Sequence, residues 1–250
     1  MYFLYRDYKI NYQLEGSGTY LVLMHGWGVD LSTFNNLVER LKAYYTILTF
    51  DFLGFGDSSM PTSPLTLKDY VDVTRALIKE LKISNPIILG HSFGGRVAIK
   101  YANLYDVKLL ILFDSAGIKH FSIAKSFKIY RYKLLKRLYK ITSKPRLEKL
   151  VNSSGSSDYQ KCTPIMKKTM SNVIKVDLKK DIKKIKCNTL ILWGYYDKAT
   201  PYQDALYMNK YIKGSRLITF FKSGHFPYLD EEDKTVSAII SGGIKDGGIY

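Results

Sequence analysis

The segment Gly90-His91-Ser92-Phe93-Gly94-Gly95 sets a serine between glycines two residues to either side. The apolar run 86–89 precedes it, and the helix-like stretch 96–103 follows. A serine on such a strand-to-helix turn is held in a strained backbone conformation, because side chains two positions away would collide. Its hydroxyl is pushed out at the carboxyl edge of a sheet, beside a helix N-terminus that favours negative charge. A hydroxyl there attacks carbonyl carbon only if a base removes its proton. Four histidines are available: His25, His91, His120 and His225. His91 adjoins the serine and should point away from its hydroxyl, His25 ends the first buried strand, and His120 opens a long basic stretch. His225, in Ser223-Gly224-His225-Phe226-Pro227, lies just past the last strand-like run, so its loop reaches the edge that presents Ser92. It is the expected base.

The acid that orients the base should end another strand. Asp197 follows the run Leu190-Ile191-Leu192-Trp193 and precedes His225 in the chain. Asp197 also suits a helix N-cap ahead of Thr200-Pro201. Asp114, at the end of the run 109–113, is the rival. Donors for a developing oxyanion are expected from the backbone N–H groups of Trp27, in His25-Gly26-Trp27-Gly28, and of Phe93. His25, Gly26 and Phe226 are expected to line the substrate pocket. No metal or organic cofactor is implied. The two cysteines, Cys162 and Cys187, are 25 residues apart without metal-ligand spacing, which fits a reduced, cytoplasmic protein.

These groups need a scaffold. Short strands are expected at 2–6 and 9–14, followed by a turn at 15–18. Apolar runs without alternation at 20–24, 45–50, 86–89, 109–113 and 189–193 predict strands covered on both faces. Amphipathic helices are expected after Ser32, carrying Phe34, Leu37, Val38 and Leu41, and after Thr66, through Leu81. Strands alternating with helices make a mostly parallel sheet by right-handed crossovers. From 119 to 186 no buried strand is expected, only helical segments around the joint 153–157; the strand pattern then resumes at 189–193 and 216–220. The expected organisation is therefore an α/β core, residues 1–118 and 187–250, with a helical insertion, 119–186. The glycine-rich tail from 241 is expected to be disordered.

The chain has 250 residues, with 46% hydrophobic and 24% charged, which excludes fibrous or wholly disordered classes. No apolar run approaches the ~20 residues of a membrane-spanning helix, and Arg6, Asp7 and Lys9 stand where a signal peptide would be apolar. The net charge is +16, from 38 basic and 22 acidic residues.

On five landmarks in order, the chain resembles the α/β-hydrolase-fold serine hydrolases. They are His25-Gly26-Trp27-Gly28, the segment 51–58, the serine turn 90–95, the stretch 193–197, and the stretch 224–230. The resemblance covers residues 1–240. It implies the chain order serine, acid, histidine; a structural, non-catalytic role for Asp51 and Asp57; and a cap, 119–186, over the pocket. The details are similar to carboxylesterase-like members, including the pimeloyl-ester esterase group. Ring-cleavage C–C hydrolases are a nearby group, many of which carry Trp where this chain has Phe226. Members usually end in a full amphipathic helix, whereas Gly242-Gly243 is expected to break it here. The implied function is a serine hydrolase cleaving a carboxylic ester or thioester of a small or medium acyl substrate. C–C hydrolysis, a membrane-docked lipase and a ligand-binding protein without turnover stay open.

Residues 119–149 hold eleven Lys/Arg and one acid, Glu148, while Phe127, Tyr130, Leu134, Leu138 and Ile141 recur at helical spacing. The expected use of that apolar face is to close over the pocket, with the lysines solvated. A weak association with an anionic membrane surface is the alternative. No nucleic-acid partner is expected, since no reader motif accompanies the charge. The oligomeric state is not implied.

Overall fold

The computed structural model describes residues 1–120, 123–152 and 157–243. Residues 153–156 of the expected Ser/Gly joint and the tail from 244 lie outside them. Eight strands form one sheet: β1 (Tyr2–Tyr5), β2 (Tyr8–Gly16), β3 (Thr19–Met24), β4 (Tyr45–Phe50), β5 (Ile87–His91), β6 (Leu109–Phe113), β7 (Thr189–Gly194) and β8 (Ser215–Phe220). Their order is β1-β2-β4-β3-β5-β6-β7-β8. The pairs β1·β2 and β2·β4 are antiparallel, and every other pair is parallel. All the parallel strands therefore end at one rim.

Side chains along a strand alternate between faces. Val22, Met24, Leu48, Phe50, Ile88, Leu110, Leu112, Ile191 and Trp193 fill one core. Leu21, Leu23, Ile47, Leu89, Ile111, Phe113, Leu190 and Leu192 fill the other. Because both faces are covered, the sequence runs apolar at every position instead of alternating. The first core is closed by α2 (Leu67–Glu80), α3 (Phe93–Ala102) and α9 (Tyr202–Tyr211), the second by α1 (Asn35–Leu41) and α11 (Glu232–Gly243). A short α10 (Pro227–Asp230) leads into α11.

Between β6 and β7 lie α4 (Ile123–Thr142), α5 (Lys144–Asn152), α6 (Ser157–Lys161), α7 (Pro164–Ile174) and α8 (Lys179–Ile182). The later part of this insertion is anchored: Val173, Leu178, Ile182 and Ile185 belong to the first core. The Arg96 guanidinium on α3 donates to the Val176 carbonyl at 2.8 Å, and Lys100 pairs with Asp181 at 2.7 Å.

Three local expectations are corrected. Strand β2 runs through Glu15 and Gly16, in place of the expected turn; Gly16 takes φ +83° with its Cα facing the Tyr45 and Lys42 carbonyls too closely for any Cβ. The first helical segment begins with a 3₁₀ turn (Leu31–Phe34), and its N-cap is Asp30, whose carboxylate accepts from Ser32 N–H at 2.9 Å, in place of Ser32 itself. Helix α3 starts directly after Ser92, earlier than the apolar periodicity indicates. The last helix, α11, ends at Gly243, where the glycine pair is expected to break it, and Gly242 lies so close to Leu190 that a Cβ would sit 2.9 Å from its Cδ2.

Candidate active site

Ser92 sits between β5 and α3 at φ 51°, ψ −109°, a region that costs a non-glycine residue about 1–3 kcal/mol. Backbone hydrogen bonds hold it there. Its N–H donates to the Phe113 carbonyl at 3.1 Å, and its carbonyl accepts from Gly95 N–H at 3.1 Å and Ala116 N–H at 3.0 Å. The flanking glycines are required by space. A Cβ on Gly90 would lie 2.6 Å from the Gly94 carbonyl oxygen, and one on Gly94 would lie 2.1 Å from the Met24 carbonyl oxygen.

Past the carboxyl ends of β7 and β8, His225 Nδ1 and Asp197 Oδ2 are 2.7 Å apart, with Asp197 buried and the imidazole partly exposed. Asp197 is held from its other side. Its Oδ1 accepts from Ala199 N–H at 2.7 Å and Thr200 N–H at 3.0 Å, and its Oδ2 accepts from the Thr200 hydroxyl at 2.5 Å. Burial pushes the Asp197 pKa up, but the bonds from His225 and Thr200 outweigh it and bring it down to about 2. Asp197 thus both caps its own turn and orients the imidazole. Thr200 was not singled out from the sequence; the spacing Asp-x-x-Thr is the signal that could have found it.

Asp114, the rival acid, is also at this rim. It is fully buried at φ 42°, with Oδ1 accepting from Gly194 N–H at 2.9 Å and Oδ2 without a partner among the described residues. Burial, reinforced by the charge of Asp197, drives its pKa well above the usual carboxylate range. Asp114 is therefore pushed towards its neutral form beside Asp197, and His225 bonds to Asp197.

Two other histidines are locked neutral. His91 Nε2–H donates to the His225 carbonyl at 2.8 Å and its ring lies 4.8 Å from the His225 ring, so the turn that carries Ser92 is tied to the loop that carries His225. Burial, then the nearby His225, hold the His91 pKa down at about 3. His25 accepts from Phe52 N–H at Nε2 (3.0 Å) and donates from Nδ1 to the Gly26 carbonyl (2.7 Å). Burial brings its pKa down to about 4. His25 has no exposed surface, so the expectation that it lines the pocket is corrected: both ring nitrogens are used to hold the turns after β3 and β4 together.

Gly26 does lie against the serine, since a Cβ there would be 3.5 Å from Ser92 Cβ and 3.0 Å from His91 Nδ1. The Trp27 and Phe93 rings meet edge to face at 5.3 Å. Neither N–H donates to another backbone group among the described residues. The Phe226 ring meets the His225 ring edge-on at 5.2 Å and lies tilted 5.1 Å from the His91 ring. His120 is elsewhere, paired with Asp204 on α9 at 2.7 Å. Among the described residues no hydrogen bond joins Ser92 Oγ to His225; such contacts are commonly long without substrate and tighten around it.

Asp51 is structural. Its carboxylate accepts from Leu31 N–H, Asp57 N–H and the Asn11 side chain at 2.8–2.9 Å, which organises the loop after β4. Asp114, Asp197 and His225 are the one cluster of metal-type ligands among the described residues, with ligand atoms within 4.8 Å of one another. Bonds from Gly194, Ala199, Thr200 and His225 engage Asp114 Oδ1 and both Asp197 oxygens, leaving Asp114 Oδ2 without a partner among the described residues. A groove of about 1300 Å³, flanked by Ser84, Asn85, Tyr105, Lys184, Lys186 and Lys213, opens at the amino ends of β5–β8, the edge opposite Ser92.

A family model described as the alpha/beta hydrolase family matches residues 21–238. Lipase 1 of Psychrobacter immobilis is 28% identical over 259 residues, covering 91% of this chain and 78% of that protein. The pimeloyl-[acyl-carrier protein] methyl ester esterase of Proteus mirabilis (strain HI4320) is 26% identical over 252 residues, covering 90% and 93%. Among solved structures, an esterase from Exiguobacterium antarcticum superimposes with a TM-score of 0.74 at 26% identity, covering 94% of this chain and 96% of the other. The match runs from within β3 to within α11 and takes in Ser92, Asp197 and His225: the chain belongs to the α/β hydrolase family.

Proposed function

We propose that this chain hydrolyses a carboxylic ester or thioester of a small or medium acyl substrate. The observation that carries the reading is the His225 Nδ1···Asp197 Oδ2 bond at the rim where Ser92 is held at positive φ. Asp197 fixes the imidazole with its proton on Nδ1, which leaves Nε2 to accept the Ser92 proton as Oγ attacks the carbonyl carbon. The tetrahedral oxyanion takes hydrogen bonds from Trp27 N–H and Phe93 N–H; losing one such donor typically costs about 10²–10³ in turnover. The imidazolium then protonates the departing alcohol or thiol as its bond to the acyl carbon breaks. Water repeats the cycle, giving its proton to His225 and its oxygen to the acyl group, and Ser92 regains its proton. The helices between β6 and β7 serve as the cap that limits acyl size.

Lipase 1 and the pimeloyl-[acyl-carrier protein] methyl ester esterase support the reading through the bond type their names share. It is tested with a fluorophosphonate probe and p-nitrophenyl esters of graded acyl length. Wild type should label and turn over the shorter esters, and Ser92→Ala should do neither. A folded wild type that neither labels nor hydrolyses any ester of the series overturns the reading.

A further inference from the structure

Four side chains of the apolar stripe of α4 stand exposed among the described residues; the side chain of Phe127, the fifth of the expected stripe, lies outside them. Tyr130, Leu134, Leu138 and Ile141 are 63%, 57%, 51% and 84% exposed, against the expectation that they face the pocket. At 3.6 residues per turn the four fall within about 80° of the helix circumference. The half-buried side chains Tyr132, Leu135 and Tyr139 lie on the other side of the helix, which packs against α5. Exposed cations border the stripe, Arg131 along one edge and Arg137 and Lys140 along the other, and α4 contains no acidic residue. Isolated exposed leucines need no explanation, but four apolar side chains in register between rows of cations do.

We propose that α4 is an interfacial helix that docks this protein on an anionic phospholipid surface, Tyr130, Leu134, Leu138 and Ile141 entering the headgroup boundary and Arg131, Arg137 and Lys140 meeting lipid phosphates. Charge complementarity selects this occupant: a +16 chain whose apolar stripe is bordered by cations and by no acid is matched by a surface that is apolar within and negative at its edge. A second copy of the same helix would set like charges against each other. The helix lies on the membrane and does not cross it, since no described helix is long and apolar enough to span. Docking is read without turnover, so it stands or falls apart from the hydrolysis reading.

The test is co-sedimentation of the full chain with vesicles of equal phosphatidylglycerol and phosphatidylcholine, compared with phosphatidylcholine alone, at about 0.1 M salt. The protein should pellet with the first and stay in solution with the second. A cation near such a surface contributes about a factor of five in partitioning, so Arg131→Gln/Arg137→Gln/Lys140→Gln should lose about a hundredfold. Leu134→Glu/Leu138→Glu should abolish binding with an unchanged circular dichroism spectrum. Independently, Ile141→Trp should add a blue-shifted emission with the anionic vesicles only. Equal pelleting with both vesicle types, no pelleting with either, or an emission from the Ile141→Trp variant that does not shift overturns the proposal. So does a dimer in sedimentation velocity that Leu134→Glu dissociates while vesicle binding is absent, or retention on RNA in place of vesicles.

Discussion

Two carboxyl groups at the end of neighbouring strands differ in what their surroundings do to them. Asp197 receives two backbone N–H groups, a hydroxyl and the imidazole; Asp114 receives one N–H and keeps a buried oxygen without a partner among the described residues. The first is held as an anion, and burial pushes the second towards its neutral form. Substituting each by its amide therefore separates them. Asp197→Asn should lower kcat for an ester substrate by about 10³–10⁴, because the amide no longer selects the Nδ1–H tautomer. Asp114→Asn should leave kcat within a few-fold of wild type, since an amide replaces a neutral acid of the same shape. Asp114→Ala should instead lower the melting temperature, as the Gly194 N–H loses its acceptor at a cost of about 1–3 kcal/mol. If Asp114→Asn were the inactive amide, the acid would have to be reassigned.

Elements differ in how far the sequence announces them. The central strands were legible because a strand covered on both faces has to be apolar throughout, and no other short element has that need. Helix α2 was legible because apolar residues recur at helical spacing after Thr66; the structure adds a capping box, the Thr66 hydroxyl accepting from Asp69 N–H and the Asp69 carboxylate accepting from Thr66 N–H. Thr66→Ala should cost about 1 kcal/mol, measured as a lower urea midpoint, with unchanged kcat. The serine turn and the loop of His225 were legible as spacing, whereas strand order left Asp197 and Asp114 as rival acids until the His225 Nδ1···Asp197 Oδ2 bond separated them. Glycines at 242 and 243 read as a helix end, and α11 ends at Gly243. Two features were not legible. His25 read as a pocket residue because its contacts to Phe52 and Gly26 depend on where β4 ends in space. The stripe on α4 was found at the right residues, yet periodicity reports that a face is apolar and not whether anything covers it.

Taken as a whole, the molecule carries two buried neutral histidines that an unfolded chain would titrate near 6.5. With His25 held down at about 4 and His91 at about 3, the unfolded state takes up protons first as the pH falls. Their contribution is complete above about pH 6.5 and is lost on the way down to those values, each worth up to roughly 3–5 kcal/mol. Asp197, down at about 2, adds a further loss below about pH 4, where its unfolded counterpart is protonated. Asp114 acts in the opposite sense, its neutral form favouring the fold as acid is added. The histidine share is isolated by His91→Gln, which keeps a donor for the His225 carbonyl but does not titrate. Its melting temperature should fall less steeply than that of wild type between pH 6.5 and 4; parallel curves would remove His91 from this account.

Because all the parallel strands run one way, everything assigned to chemistry gathers at their carboxyl ends, and the connections at the amino ends are left with nothing to do but turn the chain. Ser84 and Asn85, exposed between α2 and β5, are such a connection. A fluorescent reporter domain spliced between them would hang from the far side of the molecule, leaving the approach to Ser92 unobstructed.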